Sequence, residues 1–555
     1  MMKKVVLLAL AAGVLLGAAE PPARYDLLIR NAVIYDGSGG APYPGELGVR
    51  GDRIVCVRTC PAGQATSVVD AKGQALAPGF VNMLSHSRES LLHDGRAMSA
   101  LLQGVTLEVN SELSHAPLTP AMRAARESRQ GLIKTPLEWS TLGGYLDRLE
   151  RGGVSVNVAS YVGAGSVREF VLGANDVDPT PEQLARMRSL VRDGMRDGAL
   201  GLATMLIYVP ERYAETPELV ALAGEAGRCG GLFAAHIRNE GDALLEALDE
   251  MVAIGREARV PVHVHHLKQS LPRNWPKLDA AVAKIEAARA SGLRVTADMY
   301  LYPASGTGAN TMLPAWVQEG GIEATIERLR DPATRARAKA EMRDRGPEHV
   351  LFSGFKTDAL RQYTGKRLSE VMRMRGDADW RDTVIDLIVA DDSRVGTVFF
   401  IMSEDNVRRQ TALPWMTFGS DSSAIAAEGL LLKDGAHPRT YGNFARLLGK
   451  YVRDEKTMPL GEAVRKLTAL PADTLHLRDR GRLRPGAYAD LVVFDPAAIR
   501  DNATFADPHR YATGVRHVWV NGVAVVRDGA HTGAKPGRAL RGPGWTGHPD
   551  GGACR

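Results

Sequence analysis

Cysteine is scarce in this chain, four among 555 residues, and a protein of this length buries a large core without disulfide staples. Cys56 and Cys60 lie four apart in CVRTC, where a bridge is compatible with the spacing but not required. No second ligand pair accompanies them, which excludes a zinc knuckle. Blocks of like charge are also missing. The formal net charge is +5 and the signs alternate along most of the chain, so no nucleic-acid footprint is expected. No apolar run is long enough for a comfortable membrane span. The run from Val5 to Leu16 follows Lys3 and Lys4 and precedes Gly17, Ala18 and Ala19, the order of a secretory signal. Residues 1–19 are therefore read as a leader cleaved after Ala19, and the mature protein as periplasmic or secreted without stable membrane insertion; an uncleaved anchor is the alternative. The absence of a cysteine after the small residues excludes lipidation there. A dinucleotide fingerprint is wanting too, since Gly163, Ala164, Gly165 begins like one but Arg168 stands where the third glycine belongs.

What is present centres on Gly230 to Ser270. Two strand-like runs, Leu232 to His236 and Pro261 to His266, each end on histidine. Between them Leu244, Leu245, Leu248, Met251 and Val252 recur at helical spacing. That pattern is a βαβ unit, whose right-handed crossover puts both strand ends on one rim of a parallel sheet. Eight such runs occur in all: Phe80 to His86, Val105 to Glu112, Val156 to Val162, Leu200 to Leu206, Leu232 to His236, Val262 to His266, Arg294 to Tyr300 and Met416 to Asp421. Val350 to Phe355 and Thr397 to Met402 are surplus strand-like runs. The number eight predicts an α/β fold of the (β/α)₈ TIM-like barrel type, with a doubly wound sheet as the other architecture considered. Alternating polar and apolar residues over Tyr25 to Val57 and again over Ala489 to Val526 predict a small discontinuous β-sandwich built from both chain ends. The expected divisions are residues 20–78 and 481–555 for the sandwich and 79–480 for the barrel, with a solvated insertion at about 305–350.

Polar residues gather at the predicted strand ends: Glu112, Tyr208, His236, His266, Asp298 and Asp421. Two imidazoles and a carboxylate suit a zinc ion with one open position, and zinc lowers the pKa of bound water to ~7. A separate carboxylate near that water can take its proton and return it to a leaving amine. Asp421, after Phe418, Gly419 and Ser420, is the candidate. Because neighbours in a strand face opposite sides, only one of His265 and His266 should point into the barrel mouth. His263 and His265 are then expected to pack toward the helices.

The motifs GDRIVCV, APGFVNML, QGVTLEV, DGALGLATMLIYVP, GGLFAAHIRNEG, PVHVHHLK, ADMYLYPASGTG, FGSD, HPRTYGNFARLLG and GAYADLVVFDP run in order over roughly residues 25–530. Together they resemble the D-aminoacylase (N-acyl-D-amino-acid deacylase) branch of the amidohydrolase superfamily. The resemblance implies a barrel with a β-sandwich, one zinc ion per chain, and hydrolysis of an amide beside a free carboxylate. His236 and His266 then correspond to metal-binding histidines and Asp421 to the catalytic aspartate. Lys268, Arg439 and Tyr208 correspond to the groups that hold the substrate carboxylate, a role that an ammonium and a planar guanidinium suit. Two departures stand out. Leu84, Ser85, His86 replaces an HxH pair, leaving His86 as a hydrogen-bonded neighbour. Asn110, Ser111, Glu112 replaces a cysteine-bearing loop, making Glu112 the third ligand by substitution of oxygen for sulfur. The expected substrate is a small N-acyl-D-amino acid; a dipeptide cleaved by a periplasmic dipeptidase, or a ligand held by a catalytically inactive barrel, are the alternatives.

Overall fold

Runs rich in Val, Leu and Ala, each closed by polar residues, become short parallel strands because both of their faces are buried, one by the barrel interior and one by helices. The computed structural model describes residues 23–112 and 116–554; the leader expected at 1–19 lies outside them. Six strands, Val162–Gly163, Gly201–Met205, Leu232–His236, Val262–Val264, Val295–Met299 and Met416–Phe418, are joined in that order. Phe80–Ser85, Val105–Asn110 and Asn157–Ser160 form the remaining arc. Leu200 N donates to Ser160 O, while Asp421 N donates to Leu84 O and His86 N to Ser422 O, so the two arcs meet at both seams. The ring is a closed barrel with Asn157–Ser160 and Val162–Gly163 forming one interrupted strand, the third of eight.

Both surplus runs belong to a separate sheet. Ser305–Gly308, Val350–Gly354 and Gly396–Phe399 pair antiparallel, with helices Ile322–Arg330 and Pro332–Glu341 between the first two. The excursion between the seventh and eighth barrel strands therefore runs well past residue 350. Its limits are invisible in sequence because its strands have the same apolar character as those of the barrel.

The chain ends meet in one nine-stranded sheet that joins Ala23–Ile34, Tyr43–Arg50, Arg53–Arg58, Gly63–Asp70 and Ala75–Pro78 to four strands from Leu491–Phe494 onward. The sandwich expected from sequence is thus continuous in its hydrogen bonding, around a core of its own that includes Ile29, Leu47, Val49, Leu491 and Trp519. Cys56 is bonded to Cys60 and Cys229 to Cys554. The second bridge ties the tail to the residue that precedes the strand carrying His236, a pairing no sequence spacing could suggest.

One buried network fixes the turn that carries Asp421. Asn82 Nδ2 donates to Ser420 Oγ and to Glu108 Oε2, Ser420 N donates to Asn82 Oδ1, and Ser87 Oγ donates to Glu108 Oε2. Burial pushes the Glu108 carboxyl up to about 7, against the pull of those hydrogen bonds. The native state therefore holds this proton more tightly than the unfolded chain does. The stability that results is complete below about 4.5 and is lost as pH rises through about 7, an effect of roughly 3 kcal/mol. Glu108→Gln, which keeps the neutral form, is expected to narrow the fall in Tm between pH 5 and pH 8 seen in the wild type. Parallel melting curves for the two proteins over that range would refute the assignment.

Candidate active site

The barrel interior, not the helical layer, receives His263 and His265. Val262 and Val264 pack with the helices, whereas His263 pairs in register with Ala234 of the inner apolar cluster. Asp298 Oδ2 lies 2.9 Å from His263 Nε2 and 2.6 Å from His265 Nδ1, and Ser111 Oγ lies 2.6 Å from His265 Nε2. The expectation that these two histidines face outward is corrected. Its error lies in extending strand alternation past the strand's end: the sixth strand stops at Val264, and His266 has φ +34. This left-handed residue turns the chain so that His265 and His266 both face inward, at different depths. Asp298 Oδ1 accepts from His266 N at 2.8 Å, so one carboxylate supports the turn and the histidines beneath it.

Glu112 (φ +63) and Asp421 (φ +48) also occupy the left-handed region. Three non-glycine residues held there at three strand ends represent backbone strain of the kind concentrated at functional sites, about 1–3 kcal/mol each. The consequence is convergence. Glu112 Oε1 lies 2.8 Å from His266 Nε2 and 3.6 Å from His236 Nδ1. These three buried residues can each offer one ligand atom within 4.8 Å of the others.

On the far edges of the same two rings stands Glu240, four residues after His236. Its Oε1 is 2.9 Å from His266 Nδ1, 3.6 Å from His236 Nε2 and 2.9 Å from Lys268 Nζ. Glu240 lies within the motif GGLFAAHIRNEG, where its only sequence signal is an acid four residues beyond a strand-end histidine. Lys268 is consequently not a rim charge: it is buried, and its ammonium is stabilised by Glu240 despite the burial that opposes it. Metal-binding histidines characteristically pass their other ring nitrogen to a carboxylate, and Glu240 stands in that position toward both.

Electrostatics test whether a cation belongs here. Burial and Lys268 press the His266 pKa down, but the carboxylates of Glu240 and Glu112 outweigh them and push it up to about 10. Glu112 is held well below the carboxylate range, because facing His266 and His236 overcomes its burial. His236 is pressed down, first by burial, and stays neutral. A proton on His266 thus supplies the positive charge that two buried carboxylates demand. His236 Nε2, His266 Nδ1 and Glu240 Oε1 nevertheless have no properly aligned hydrogen bond. Those two nitrogens face Glu240, while the opposite nitrogen of each ring faces Glu112; two imidazoles and the Glu112 carboxylate fit a zinc ion by ligand type and number.

Asp421 adjoins this set, its carboxylate within 4.8 Å of that of Glu112. Its Oδ1 is 2.8 Å from His86 Nε2 and its Oδ2 is 2.9 Å from Arg439 Nη1. Burial favours the neutral acid, but Arg439, the His86 hydrogen bond and the charge of His266 bring its pKa down to about 2. His86 Nε2 also approaches Glu112 Oε2 at 3.7 Å, which makes it the neighbour of both carboxylates. Arg439 is buried with its guanidinium 4.4 Å from the centre of the Tyr300 ring. The Tyr208 ring stands in a T-shaped contact with His236, and its hydroxyl shares a 2.6 Å hydrogen bond with Thr307 of the inserted sheet. All seven residues singled out from sequence therefore surround one region. His86, Glu112, Tyr208, His236, Lys268 and Asp421 line a cavity of about 360 Å³.

Residues 67–526 match the model of the Amidohydrolase family. The chain belongs to that family. Within it, the chain is 34% identical over 531 residues to a D-aminoacylase of Alcaligenes xylosoxydans xylosoxydans, covering 93% of this chain and 97% of the relative. An N-acyl-D-glutamate deacylase of the same organism is 33% identical over 521 residues, with the same coverage of 93% and 97%. The solved structure of N-acyl-D-glutamate deacylase from Bordetella bronchiseptica, complexed with zinc and a phosphonate mimic of the tetrahedral intermediate, superposes with a TM-score of 0.78 at 30% identity, covering 94% of this chain and 100% of that one. The resemblance read from the motifs is to the D-aminoacylase branch, and this amidohydrolase falls there. Its fold is the barrel with an attached sheet.

Proposed function

We propose that this protein hydrolyses the amide bond of N-acyl-D-amino acids, releasing a carboxylate and a free D-amino acid. The observation that carries the reading is the convergence of Glu112, His236 and His266 at a cavity with Asp421 and its two partners beside them. Glu112, His236 and His266 would hold the zinc ion, which when bound supplies polarisation of the amide carbonyl and a more acidic water. Asp421 accepts a proton from the attacking water and returns it to the departing nitrogen. His86, at hydrogen-bond distance, fixes the orientation of that carboxylate.

Lys268 and Tyr208 face the cavity and Arg439 lies against Asp421; together they hold the α-carboxylate, which positions the scissile bond. Arg439 links binding to chemistry. While it pairs with Asp421 it keeps that carboxylate a weak base. As it turns to the incoming α-carboxylate, Asp421 loses its strongest stabilising partner and its basicity rises toward what proton abstraction needs.

The leader-like first 19 residues and the two disulfides are in keeping with a periplasmic setting. Among the described residues no helix is long and apolar enough to cross a membrane. The test is a hydrolysis screen of N-acetyl and N-succinyl derivatives of D- and L-amino acids on the zinc-loaded protein purified from the periplasm. Turnover of D-substrates by a chain whose mass begins at Glu20 is expected. Activity confined to L-substrates or to dipeptides would overturn the substrate assignment.

A further inference from the structure

The cavity beside the metal ligands carries more positive charge than one α-carboxylate requires. Its basic lining residues are Arg212, Arg343, Arg345, Arg394 and Lys268, and its acidic ones are Glu112, Glu240 and Asp421. The acids are already engaged: Glu112 by the two histidines, Glu240 by Lys268, Asp421 by Arg439 and His86. Arg394 is also held, by Asn310 Oδ1 at 3.2 Å and over the Tyr208 ring.

Arg212, Arg343 and Arg345 remain. Among the described residues none of the three has a carboxylate within ion-pair distance, in a protein where most arginines do. Arg345 is the most telling of them. It follows the helix Pro332–Glu341, its guanidinium lies 5.7 Å from the centre of the Phe399 ring, and its Nε is buried without a hydrogen-bond partner. Burial first, and then the neighbouring Arg343, work against its charge. Arg212 is disfavoured in the same way, by burial and by Arg343. Arg343 is exposed, whereas Arg212 and Arg345 are half-buried; like charges gathered around those two guanidiniums raise the free energy of the empty site, and a ligand that neutralises them recovers it.

We propose that Arg345, with Arg343 and Arg212, forms a subsite for a second carboxylate of the substrate, so that the preferred N-acyl-D-amino acids are dianions. The proposal rests on the deacylase reading above and narrows it. A planar guanidinium recognises a carboxylate through parallel hydrogen bonds, and the second carboxylate can stand on the amino-acid side chain or on the acyl group. A neutral substrate would leave Arg345 unpaired in the complex.

The experiment measures kcat/KM of the zinc-loaded enzyme for N-acetyl-D-glutamate and N-acetyl-D-aspartate, for N-succinyl-D-leucine, and for N-acetyl-D-leucine. At least one dianionic substrate is expected to exceed N-acetyl-D-leucine by about tenfold or more, the worth of a hydrogen bond to a charged group. Preference for the first pair places the carboxylate on the side chain, and preference for N-succinyl-D-leucine places it on the acyl group. Arg345→Met and Arg343→Met are expected to reduce the ratio of dianionic to neutral kcat/KM by a similar factor, chiefly through KM, and either variant suffices if the other fails to fold. Hydrolysis of N-acetyl-D-leucine at least as well as all dianions, or a ratio unmoved in every folded variant, would overturn the subsite and leave the deacylase reading intact. Hydrolysis of none of the four would sink both.

Discussion

Asp421→Asn is expected to lower kcat by about 10²- to 10⁴-fold while the zinc content of the purified protein stays that of the wild type. The magnitude is that of removing a positioned acid–base group. The amide can occupy the same volume and still accept from His86, but it cannot take a proton from water. Because Asn removes the negative charge facing Arg439, KM is expected to change far less than kcat, and the guanidinium is freed for the substrate carboxylate. Steady-state kinetics and metal analysis on the same preparation check this. A wild-type kcat would remove Asp421 from the mechanism, and a loss of zinc would make it a ligand instead of a base.

The second large effect concerns the metal ligands. His266→Ala and His236→Ala are each expected to abolish stoichiometric zinc binding and to reduce activity on the order of 10³-fold or more, since a metal's stabilisation of developing charge is worth several kcal/mol. Glu112→Gln removes the carboxylate that pairs with both rings and belongs with them. Glu240→Gln is expected to behave differently: zinc still binds, but about 10- to 100-fold more weakly, as follows when a ligand's supporting carboxylate is lost. Competition with a chromogenic chelator separates the cases without reference to turnover. Because His266 holds a proton in the metal-free site with a pKa pushed up to about 10, zinc uptake must release it, and apparent affinity should climb with pH up to that value. Equal zinc affinity for Glu240→Gln and wild type would leave Glu240 only the role of neutralising Lys268. Equal affinity for Glu112→Gln would mean that another residue supplies the third ligand.

Reading the chain residue by residue located the site because each ligand ends a strand, and strand ends are marked by an abrupt change from apolar to polar residues. Periodicity then failed where the periodic element stopped. His265 and His266 are adjacent in sequence, and alternation assigns them to opposite faces only while the chain remains extended; the left-handed turn at His266 breaks that rule. Glu240 escaped for a related reason. It lies after the strand, in the loop Ile237 to Ala243, where no repeating pattern assigns a direction to a side chain. The arginines of the inserted segment resembled a solvated surface, since Arg343 and Arg345 follow an Arg- and Glu-rich helix. Their place in the cavity depends on how that segment folds back over the barrel.

The sequence by itself determined the alternation of strands and helices, the number of barrel strands, and the residue types at their ends, because these follow from local burial patterns and backbone preferences along the chain. Only the tertiary structure decided which end residues share a site, which carboxylate faces which nitrogen, and that Cys229 meets Cys554. Those relations join residues hundreds of positions apart. Closure of the barrel brings Leu84 against Asp421 and Glu112 against His266. The pairing of charges in a buried site is fixed by that closure, since desolvation leaves each charged group only the partners the fold puts within reach.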